Sequence, residues 1–356
     1  METIQIQTES KQYPVYVGEG IRAELSTFLT NHFPGLTKIL IITDETVATF
    51  HLEKLLQVLK AWDPVVFTAP AGEKAKTFEV YYEAQSIALA NRLDRKSIVL
   101  SFGGGAVGDL AGFVAATFMR GIPFIQIPTT ILAHDSAVGG KVAINHPQGK
   151  NMIGAFYQPE AVFYDLELVE TLPIHEIRSG FAEVIKHALI SDPDFYDWLK
   201  ENIHNLNEIT SEQLSDSLVR GIKIKNKFVS QDEKETGVRA YLNLGHTLGH
   251  AIEAEMGYGK FTHGEAVMIG MIFALKLSNH LSGLSFNLGE FIDWVKQLGY
   301  ETVVPKQLSF EKLIDRMKQD KKSVGNVIRF VLLEQVGKPI LKEVAEEKIW
   351  QELNNF

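Results

Sequence analysis

Two histidines lie four residues apart in a segment that reads as a helix. They are His246 and His250, in the sequence NLGHTLGH that begins at Asn243. On an α-helix this spacing places both imidazoles on one face. His263 opens a later predicted helix, and Glu183 lies on an earlier one. Three such ligands would leave a coordination position open for catalysis. The pattern indicates a catalytic metal site, and spacing alone leaves open which of His246 and His250 binds.

The absence of cysteine restricts what can hold a metal ion. None of the 356 residues is Cys, which excludes disulfides, thiolate nucleophiles and Cys-ligated zinc. Any metal must therefore be bound by His, Asp or Glu. Glu265 and His187 are weaker candidates, expected to support the ligands or to face solvent. The net charge of −9 argues against a nucleic-acid partner, whereas a local basic pocket can still capture an anion.

A glycine-rich turn, SFGGGAVGD, follows a predicted strand and opens a predicted helix. Gly104, Gly105 and Gly108 allow close backbone approach, and the helix after them offers free N–H groups to a pyrophosphate. Asp109 closes the motif. The sequence is not the standard G-x-G-x-x-G fingerprint, so a tight strand-to-helix turn and a nucleotide site are both open interpretations.

Polar residues at the ends of neighbouring predicted strands favour the nucleotide interpretation. Asp44 follows one strand, where a carboxylate can accept ribose hydroxyls. Glu73 and Lys76 follow the next strand, and Thr129 and Thr130 add hydroxyls after another. Each is weak alone, because Asp and Thr at strand ends are often helix caps. Together they predict that a dinucleotide binds along this edge.

A basic block in this acidic chain predicts an anion pocket. Residues 138–156 read as a strand, a turn and a second extended piece, with Lys141, Lys150 and Asn151 among glycines and apolar residues. Such lysines can make charge-assisted contacts with phosphate or carboxylate. Lys186 lies three residues after Glu183, so the predicted metal and anion sites adjoin. Other basic or amide side chains follow at Lys225, Arg239, Asn243 and in the run 320–322.

The elements that would position these residues change in type along the chain. Short apolar runs at 39–43, 65–68, 98–102 and 124–127 alternate with helix-like segments such as 77–91. This alternation predicts a Rossmann-like parallel sheet covered on both faces, with ligands at the carboxyl ends of the strands. Helical patterns then dominate, and one late strand pair is expected. The predicted helices are 174–190, 211–230, 240–256 and 263–281, and the predicted strands are 327–333 and 339–341.

The fold class predicted from these patterns is α/β. An N-terminal α/β domain over residues 1–170 precedes a mainly α-helical domain over residues 171–356. The sequence has no run of eighteen uncharged apolar residues, so no membrane span is expected. Its N-terminus has neither a basic start nor an apolar run, so it does not read as a signal peptide, and a cytoplasmic location is expected.

Taken together, these segments resemble the 3-dehydroquinate synthase family of sugar-phosphate cyclases over nearly the whole chain. The long blocks are specific, whereas the glycine turn and the histidine pair also occur in iron-type polyol dehydrogenases. The resemblance rests on residues 103–109, 128–130, 138–156, 183–186, 232–239, 242–250 and 263–267.

The resemblance implies a reaction and its cofactors. The family closes 3-deoxy-D-arabino-heptulosonate 7-phosphate into 3-dehydroquinate and releases phosphate, in the shikimate route to aromatic amino acids. It uses NAD catalytically, together with zinc or cobalt. The implied metal ligands are Glu183, His246 and His263. The N-terminal domain would then bind NAD, through Asp44, Glu73, Lys76, Gly104, Gly105, Gly108, Asp109, Thr129, Thr130, Lys141, Lys150 and Thr171.

The resemblance also implies roles around the substrate. The phosphate side comprises Lys141, Lys150, Asn151 and Lys186. Lys225 and Arg239 would take the carboxylate, and Asp135, Asn243 and His250 would contact hydroxyls. Because the family usually forms dimers, a homodimer is expected, in which Arg120 reaches the phosphate bound by a neighbouring subunit. No nucleic-acid or membrane partner is expected.

Three other interpretations compete with this one. A cyclase acting on glucose 6-phosphate or sedoheptulose 7-phosphate would have no substrate carboxylate for Lys225 and Arg239. A metal-dependent polyol dehydrogenase would release NADH and would leave Lys141 and Lys150 without an anion. A non-catalytic nucleotide-binding protein is possible because fold does not fix function, but it leaves the coincidence of metal, nucleotide and anion features unexplained.

Overall fold

A computed structural model of the chain describes residues 1–257, 261–319 and 328–356. The chain divides into two compact units, Met1–Leu172 and Pro173–Phe356. The first is an α/β unit and the second is mainly helical, so the predicted fold class is confirmed. No helix within the described ranges combines the length and hydrophobicity needed to cross a membrane. The basic run 320–322 and residue 327 of the late strand pair lie outside the described residues.

A seven-stranded sheet forms the centre of the first unit. The strands of this unit are β1 (Glu2–Gln7), β2 (Gln12–Gly18), β3 (Ile39–Asp44), β4 (Val65–Ala69), β5 (Ile98–Gly103), β6 (Phe124–Pro128), β7 (Lys141–His146), β8 (Gly149–Phe156) and β9 (Ala161–Asp165). The sheet order is β1-β2-β9-β6-β5-β3-β4, while β7 and β8 form a separate hairpin. Within the sheet, β1 pairs antiparallel with β2, and all the other neighbouring strands pair in parallel.

Five α-helices accompany these strands. They are α1 (Leu25–His32), α2 (Glu45–Val58), α3 (Phe78–Ala90), α4 (Gly105–Thr117) and α5 (Ala133–Ser136). Short 3-10 segments also occur, at Ile21–Glu24, Gly72–Ala75, Phe118–Arg120 and Leu166–Thr171. The helix predicted at 77–91 corresponds to α3.

The β3 strand shows why the sheet is covered on both faces. Successive side chains of a strand point to opposite faces. Leu40 and Ile42 pack in one hydrophobic cluster with residues of α3 and α4. Ile39 and Ile41 pack in another with residues of α1 and α2. All four side chains are fully buried, which accounts for the continuous apolar run that a parallel sheet requires.

The carboxyl ends of the parallel strands define one edge of this unit. After β3 the chain moves outward to β4 and then returns to the other side of β3 to form β5. This change of direction is a topological switch point, where α/β sheets bind ligands. Asp44 ends β3, Gly103 ends β5, and Thr129 follows β6 at the same edge. The strand ends singled out from the sequence therefore meet there.

Eight helices and one hairpin form the second unit over its described residues. They are α6 (Ile174–Ser191), α7 (Pro193–Asn202), α8 (Ser211–Val229), α9 (His246–Met256), α10 (His263–Leu281), α11 (Leu288–Gln297), α12 (Phe310–Gln319), α13 (Glu346–Asn354), β10 (Arg329–Gln335) and β11 (Lys338–Glu343). The predicted helix 240–256 starts too early. Val238–Asn243 is a 3-10 segment, and Gly245, with φ of 83°, separates it from α9.

The α10 helix is the central helix of the second unit, and residues 266–275 are all buried. Two glycines allow other backbones to approach it closely. A Cβ on Gly270 would lie 1.9 Å from the carbonyl oxygen of Gly245, just before α9. One on Gly264 would lie 2.0 Å from the carbonyl oxygen of Ser179 on α6. These contacts bring the first turn of α10 against α6, and a position about two turns further along α10 against the residue before α9.

Candidate active site

Three side chains from three helices converge in the second unit. Glu183 lies on α6, His246 is the first residue of α9, and His263 is the first residue of α10. The Nε2 atoms of His246 and His263 lie 3.6 Å and 3.5 Å from Oε1 of Glu183. One ligand atom from each residue can be chosen so that all three lie within 4.8 Å of one another. Two imidazoles and one carboxylate form a donor set that suits zinc or cobalt.

In both imidazoles, the Nδ1 atom contacts an oxygen atom, while Nε2 faces Glu183. Nδ1 of His246 lies 3.2 Å from the carbonyl oxygen of Leu244. Nδ1 of His263 lies 3.2 Å from Oε2 of Glu253. When Nδ1–H donates to such an acceptor, Nε2 is the ring nitrogen that faces Glu183 and is placed to bind a metal ion. The sequence patterns did not single out Glu253, although it follows His246 by seven residues and so shares its helix face.

The surroundings of the two histidines shift their pKa values in opposite directions. Burial lowers the pKa of His246 well below its ordinary value, despite the opposing charge of Glu183. Burial also lowers the pKa of His263, but hydrogen bonds to Glu183 and Glu253, together with their negative charges, outweigh it and raise the pKa to about 9. His246 is therefore neutral at neutral pH, and His263 carries a proton that a metal ion must displace.

His250 and Lys186 adjoin the proposed ligands. The His250 ring centroid lies 5.1 Å from that of His246 and 5.8 Å from that of His263. Nζ of Lys186 contacts Oε2 of Glu183, and both side chains are buried. The sequence prediction that Lys186 and Glu183 share one helix face agrees with this contact. A cationic group therefore lies directly beside the three-residue cluster.

Glu265 holds the start of α10. It forms a capping box with Thr262, in which Glu265 N donates to Thr262 Oγ1 and the Glu265 carboxylate accepts from Thr262 N. The Glu265 carboxylate also pairs with Arg178 at 3.2 Å. Glu265 therefore stabilises the helix start that carries His263. This agrees with the first of its two predicted alternatives, which were to support the ligands or to face solvent. His187, the other weak candidate, is fully buried on α6.

Arg239 lies in a loop that one carboxylate organises. Asp232 accepts hydrogen bonds from the backbone N–H groups of Thr236, Gly237 and Arg239, at 2.8, 2.7 and 3.0 Å. Burial raises the pKa of Asp232, but these bonds outweigh it and lower the pKa below the ordinary value. Arg239 is 1 % exposed, and its Nη1 donates to the carbonyl oxygen of Glu233. Its guanidinium is therefore held in a fixed position.

The two other predicted substrate residues of this unit lie nearby in the chain. The Asn243 amide donates to Oε1 of Glu235 at 2.8 Å and to the carbonyl oxygen of Ala240 at 3.0 Å. Lys225 is buried on α8, at 5 % exposure.

In the first unit, Lys76 connects two other predicted site residues. Its Nζ donates to Oδ2 of Asp109 at 2.5 Å and contacts Oδ1 of Asn151. Lys76 is only 3 % exposed, so its charge is balanced within the protein. The structure thus brings together residues from the segment after β4, from α4 and from β8, as expected for a shared binding site.

Glu73 and Lys150 form a second pair beside this group, with 3.9 Å between Glu73 Oε1 and Lys150 Nζ. Asn145, which the sequence patterns did not single out, joins the two groups. Its amide donates to Oε2 of Glu73 at 2.8 Å, and its Oδ1 accepts from the backbone N–H of Asn151 at 2.9 Å. Sequence order alone gives no signal for this role, because it depends on hairpin pairing and on a contact between segments far apart in the chain.

The glycine turn lies against the threonine pair. Gly104 precedes α4, and a Cβ there would lie 2.9 Å from Cγ2 of Thr130. The hydroxyl oxygens of Thr129 and Thr130 are buried and have no hydrogen-bond partner within the described part of the chain. A buried hydroxyl without a partner costs free energy. A bound dinucleotide would supply partners, so these residues fit the predicted NAD site.

The structure also places five further predicted site residues of the first unit. Oδ1 of Asp44 caps α2 by accepting from the backbone N–H groups of residues 46 and 47. Thr171 Oγ1 lies 2.8 Å from Nε2 of His51. Asp135 lies in the short α5 helix, and Lys141 is exposed at the start of β7. Arg120 is exposed and has a left-handed backbone, with φ of 69°.

Solved structures place this architecture in a known class. A crystal structure of 2-deoxy-scyllo-inosose synthase, complexed with carbaglucose-6-phosphate, NAD+ and Co2+, superposes with a TM-score of 0.91. The identity is 26 %, over 99 % of each chain. An iron-containing alcohol dehydrogenase from Thermotoga maritima has the same fold, with a TM-score of 0.68 and 18 % identity over 99 % of this chain and 98 % of the other. The fold is therefore that of sugar-phosphate cyclases and iron-containing dehydrogenases.

Sequence comparisons identify the family within that class. Residues 66–179 match the model of the 3-dehydroquinate synthase N-terminal region, and residues 180–323 match that of its C-terminal region. A 3-dehydroquinate synthase from Halalkalibacterium halodurans is 53 % identical over 99 % of this chain and 98 % of its own length. One from Bacillus cytotoxicus is 50 % identical over 100 % and 96 %. The chain belongs to the 3-dehydroquinate synthase family.

Proposed function

We propose that the chain catalyses the NAD- and metal-dependent conversion of 3-deoxy-D-arabino-heptulosonate 7-phosphate to 3-dehydroquinate and phosphate. This makes it a phosphate-eliminating carbon–oxygen lyase of aromatic amino acid biosynthesis. The observation that carries the proposal is the identity of about half of all residues to 3-dehydroquinate synthases along the full chain. The alternative of a polyol dehydrogenase has only fold-level support, since the dehydrogenase of the same fold is 18 % identical.

Glu183, His246 and His263 are the residues that would hold the metal ion, as zinc or cobalt. When bound, the ion would supply Lewis acidity toward a substrate alcohol, while NAD would accept a hydride and return it. Lys186 lies beside Glu183 and would attract the substrate phosphate to this side of the cluster. His250 and Asn243 would orient substrate hydroxyls, so this part of the second unit contributes positioning and charge balance.

The substrate carboxylate is assigned to Lys225 and Arg239. A guanidinium presents its donors in a planar fork that matches a carboxylate, and Arg239 is already held by its loop. A substrate without a carboxylate would offer this guanidinium no planar acceptor. The pair therefore favours the acid substrate over glucose 6-phosphate or sedoheptulose 7-phosphate.

The NAD site is assigned to the domain formed by residues 1–170, and the metal and substrate site to residues 171–356. Thr129 and Thr130 would bind NAD through their buried hydroxyls, next to Gly104 at the start of α4. The other proposed NAD contacts at the same sheet edge and on the β7–β8 hairpin are Asp44, Glu73, Lys76, Gly105, Gly108, Asp109, Lys141, Lys150 and Thr171. The roles of Lys141, Lys150 and Asn151 toward the substrate phosphate, and of Asp135 toward a hydroxyl, remain predictions from the sequence.

A homodimer and a cytoplasmic location remain predictions. The homodimer is supported by apolar side chains on β8, where Met152, Ile153 and Phe156 are exposed by 56 %, 38 % and 45 %. Exposed apolar side chains are a common feature of protein–protein contacts. Arg120 would serve a neighbouring subunit's phosphate. Light scattering on the purified protein tests the oligomeric state.

Phosphate release tests the proposed function. The protein is treated with EDTA and assayed with 3-deoxy-D-arabino-heptulosonate 7-phosphate, added zinc and substoichiometric NAD. Many phosphates should be released per NAD, with no steady NADH signal and only when metal is present. A metal-bound protein that releases no phosphate contradicts the assigned substrate. Glucose 6-phosphate then tests the other cyclases, and NADH accumulation with glycerol identifies a dehydrogenase.

A further inference from the structure

Glu253 is a buried carboxylate that the proposed reaction does not use. It lies on α9 at 8 % exposure. Positions 246, 250 and 253 follow an i, i+4, i+7 pattern, so they share one face of the helix. His246 belongs to the predicted metal ligands, and His250 belongs to the predicted substrate residues. The third therefore lies on the face that carries the proposed chemistry, without an assigned role.

The contact made by Glu253 is specific to one ring nitrogen. Its Oε2 lies 3.2 Å from Nδ1 of His263, while Nε2 of the same ring lies 3.5 Å from Oε1 of Glu183. The Leu244 carbonyl oxygen makes the corresponding contact with Nδ1 of His246. Both proposed histidine ligands thus have an oxygen acceptor behind the ring. Only His263 has an acceptor that carries a full negative charge when ionised.

Other contacts fix the backbone of His263 but not its ring. The backbone N–H of Gly264 donates to Oγ of Ser179 at 3.0 Å, and the capping box of Thr262 and Glu265 closes the first turn of α10. These bonds locate the Cα atom of His263 against α6. Rotation about the Cβ–Cγ bond could still turn either ring nitrogen toward Glu183. The hydrogen bond to Glu253 selects the orientation in which Nε2 faces it.

We propose that Glu253 is a positioning residue that orients His263 as a metal ligand and strengthens the Nε2 lone pair through the negative charge behind the ring. Carboxylate–histidine–metal arrangements of this kind typically contribute 10- to 100-fold in metal affinity. The inference rests on the proposed function, because it presupposes the metal site formed by Glu183, His246 and His263. It adds a residue whose effect is on metal binding, with no contact to the substrate required.

Zinc affinity measures this role without relying on turnover. The metal-free protein is titrated with zinc in competition with a chromophoric chelator, for the wild type, Glu253→Gln and Glu253→Ala. Glu253→Ala should weaken zinc binding by roughly 10- to 100-fold. Glu253→Gln keeps an oxygen acceptor but loses the charge, so its loss should be smaller. Glu255→Gln is the matched control, since Glu255 lies on the same helix and pairs with Arg316 at 2.7 Å.

Two further readouts separate positioning from a general structural effect. The melting temperature of each metal-free variant shows whether it folds. If Glu253→Ala does not fold, Glu253→Gln alone tests the proposal. The visible absorption of bound cobalt should change in the Glu253 variants and stay unchanged in Glu255→Gln. A folded Glu253→Gln protein with wild-type zinc affinity and cobalt spectrum overturns the inference. Failure of the wild type to bind zinc would instead contradict the proposed function.

Discussion

The carboxylate of Glu183 contacts the ammonium group of Lys186 three residues further along α6, and each side chain is only 1 % exposed. Removing two charges from water is costly, so a buried pair depends on both partners remaining in place. The other oxygen of the same carboxylate faces His246 and His263. Glu183 therefore links the proposed metal site to the proposed phosphate side.

Lys186→Met should destabilise the metal-free protein by about 3–5 kcal/mol, because it removes the ammonium group from the buried Glu183 carboxylate. Zinc should then stabilise the variant more than it stabilises the wild type, since the ion supplies the missing positive charge. Chemical unfolding with and without zinc measures both effects. Lys223→Met, at an exposed position on α8, is the control. Equal zinc effects on Lys186→Met and the wild type would contradict this account.

Metal binding should release about one proton near neutral pH. His246 has a lowered pKa and is already neutral, whereas His263, with a pKa of about 9, must lose its proton. Below about pH 9 the apparent zinc affinity should rise roughly tenfold per pH unit, and it should level off above that pH. Calorimetry in buffers of different ionisation enthalpy counts the released protons. Zinc binding at neutral pH with no proton released would show that His263 is not the displaced group.

Thr130→Val should weaken NAD binding without destabilising the free protein. The variant removes a buried hydroxyl that has no hydrogen-bond partner among the described residues, so the free energy of unfolding should stay constant or rise. Loss of one hydrogen bond to NAD should cost about 1 kcal/mol, or roughly fivefold in affinity. Fluorescence titration with NAD measures this change. Thr30→Val on α1 is the control, and an equal NAD affinity in both variants argues against the role of Thr130.

Arg239→Ala should lower kcat/KM for the proposed substrate by roughly tenfold or more, because the substrate carboxylate loses its planar partner. Arg239→Lys keeps a positive charge but not the fork geometry, so it should retain part of the activity. Phosphate release measures both, and thermal melting checks that each variant folds. Wild-type kinetics in a folded Arg239→Ala protein would remove Arg239 from the carboxylate site.

The sequence by itself determined the features that depend on local periodicity. The apolar runs gave four strands of the parallel sheet, because strands buried on both faces contain continuous apolar residues. The four-residue spacing placed His246 and His250 on one helix face. The start of α9 was predicted wrongly, since the helical pattern of 240–256 includes a 3-10 segment and a left-handed glycine. Local pattern does not reveal where such a break falls.

Only the tertiary structure decided which side chains meet. It turns Nε2 of His246 toward Glu183, a choice that helical spacing left open. It also brings Glu253 to His263 and Asn145 to Glu73, which no spacing rule connects. These contacts depend on backbones that approach closely at positions far apart in sequence, as α10 approaches α6 at Gly264. Such approaches are set by the packing of whole helices and hairpins, and short-range sequence patterns carry no information about them.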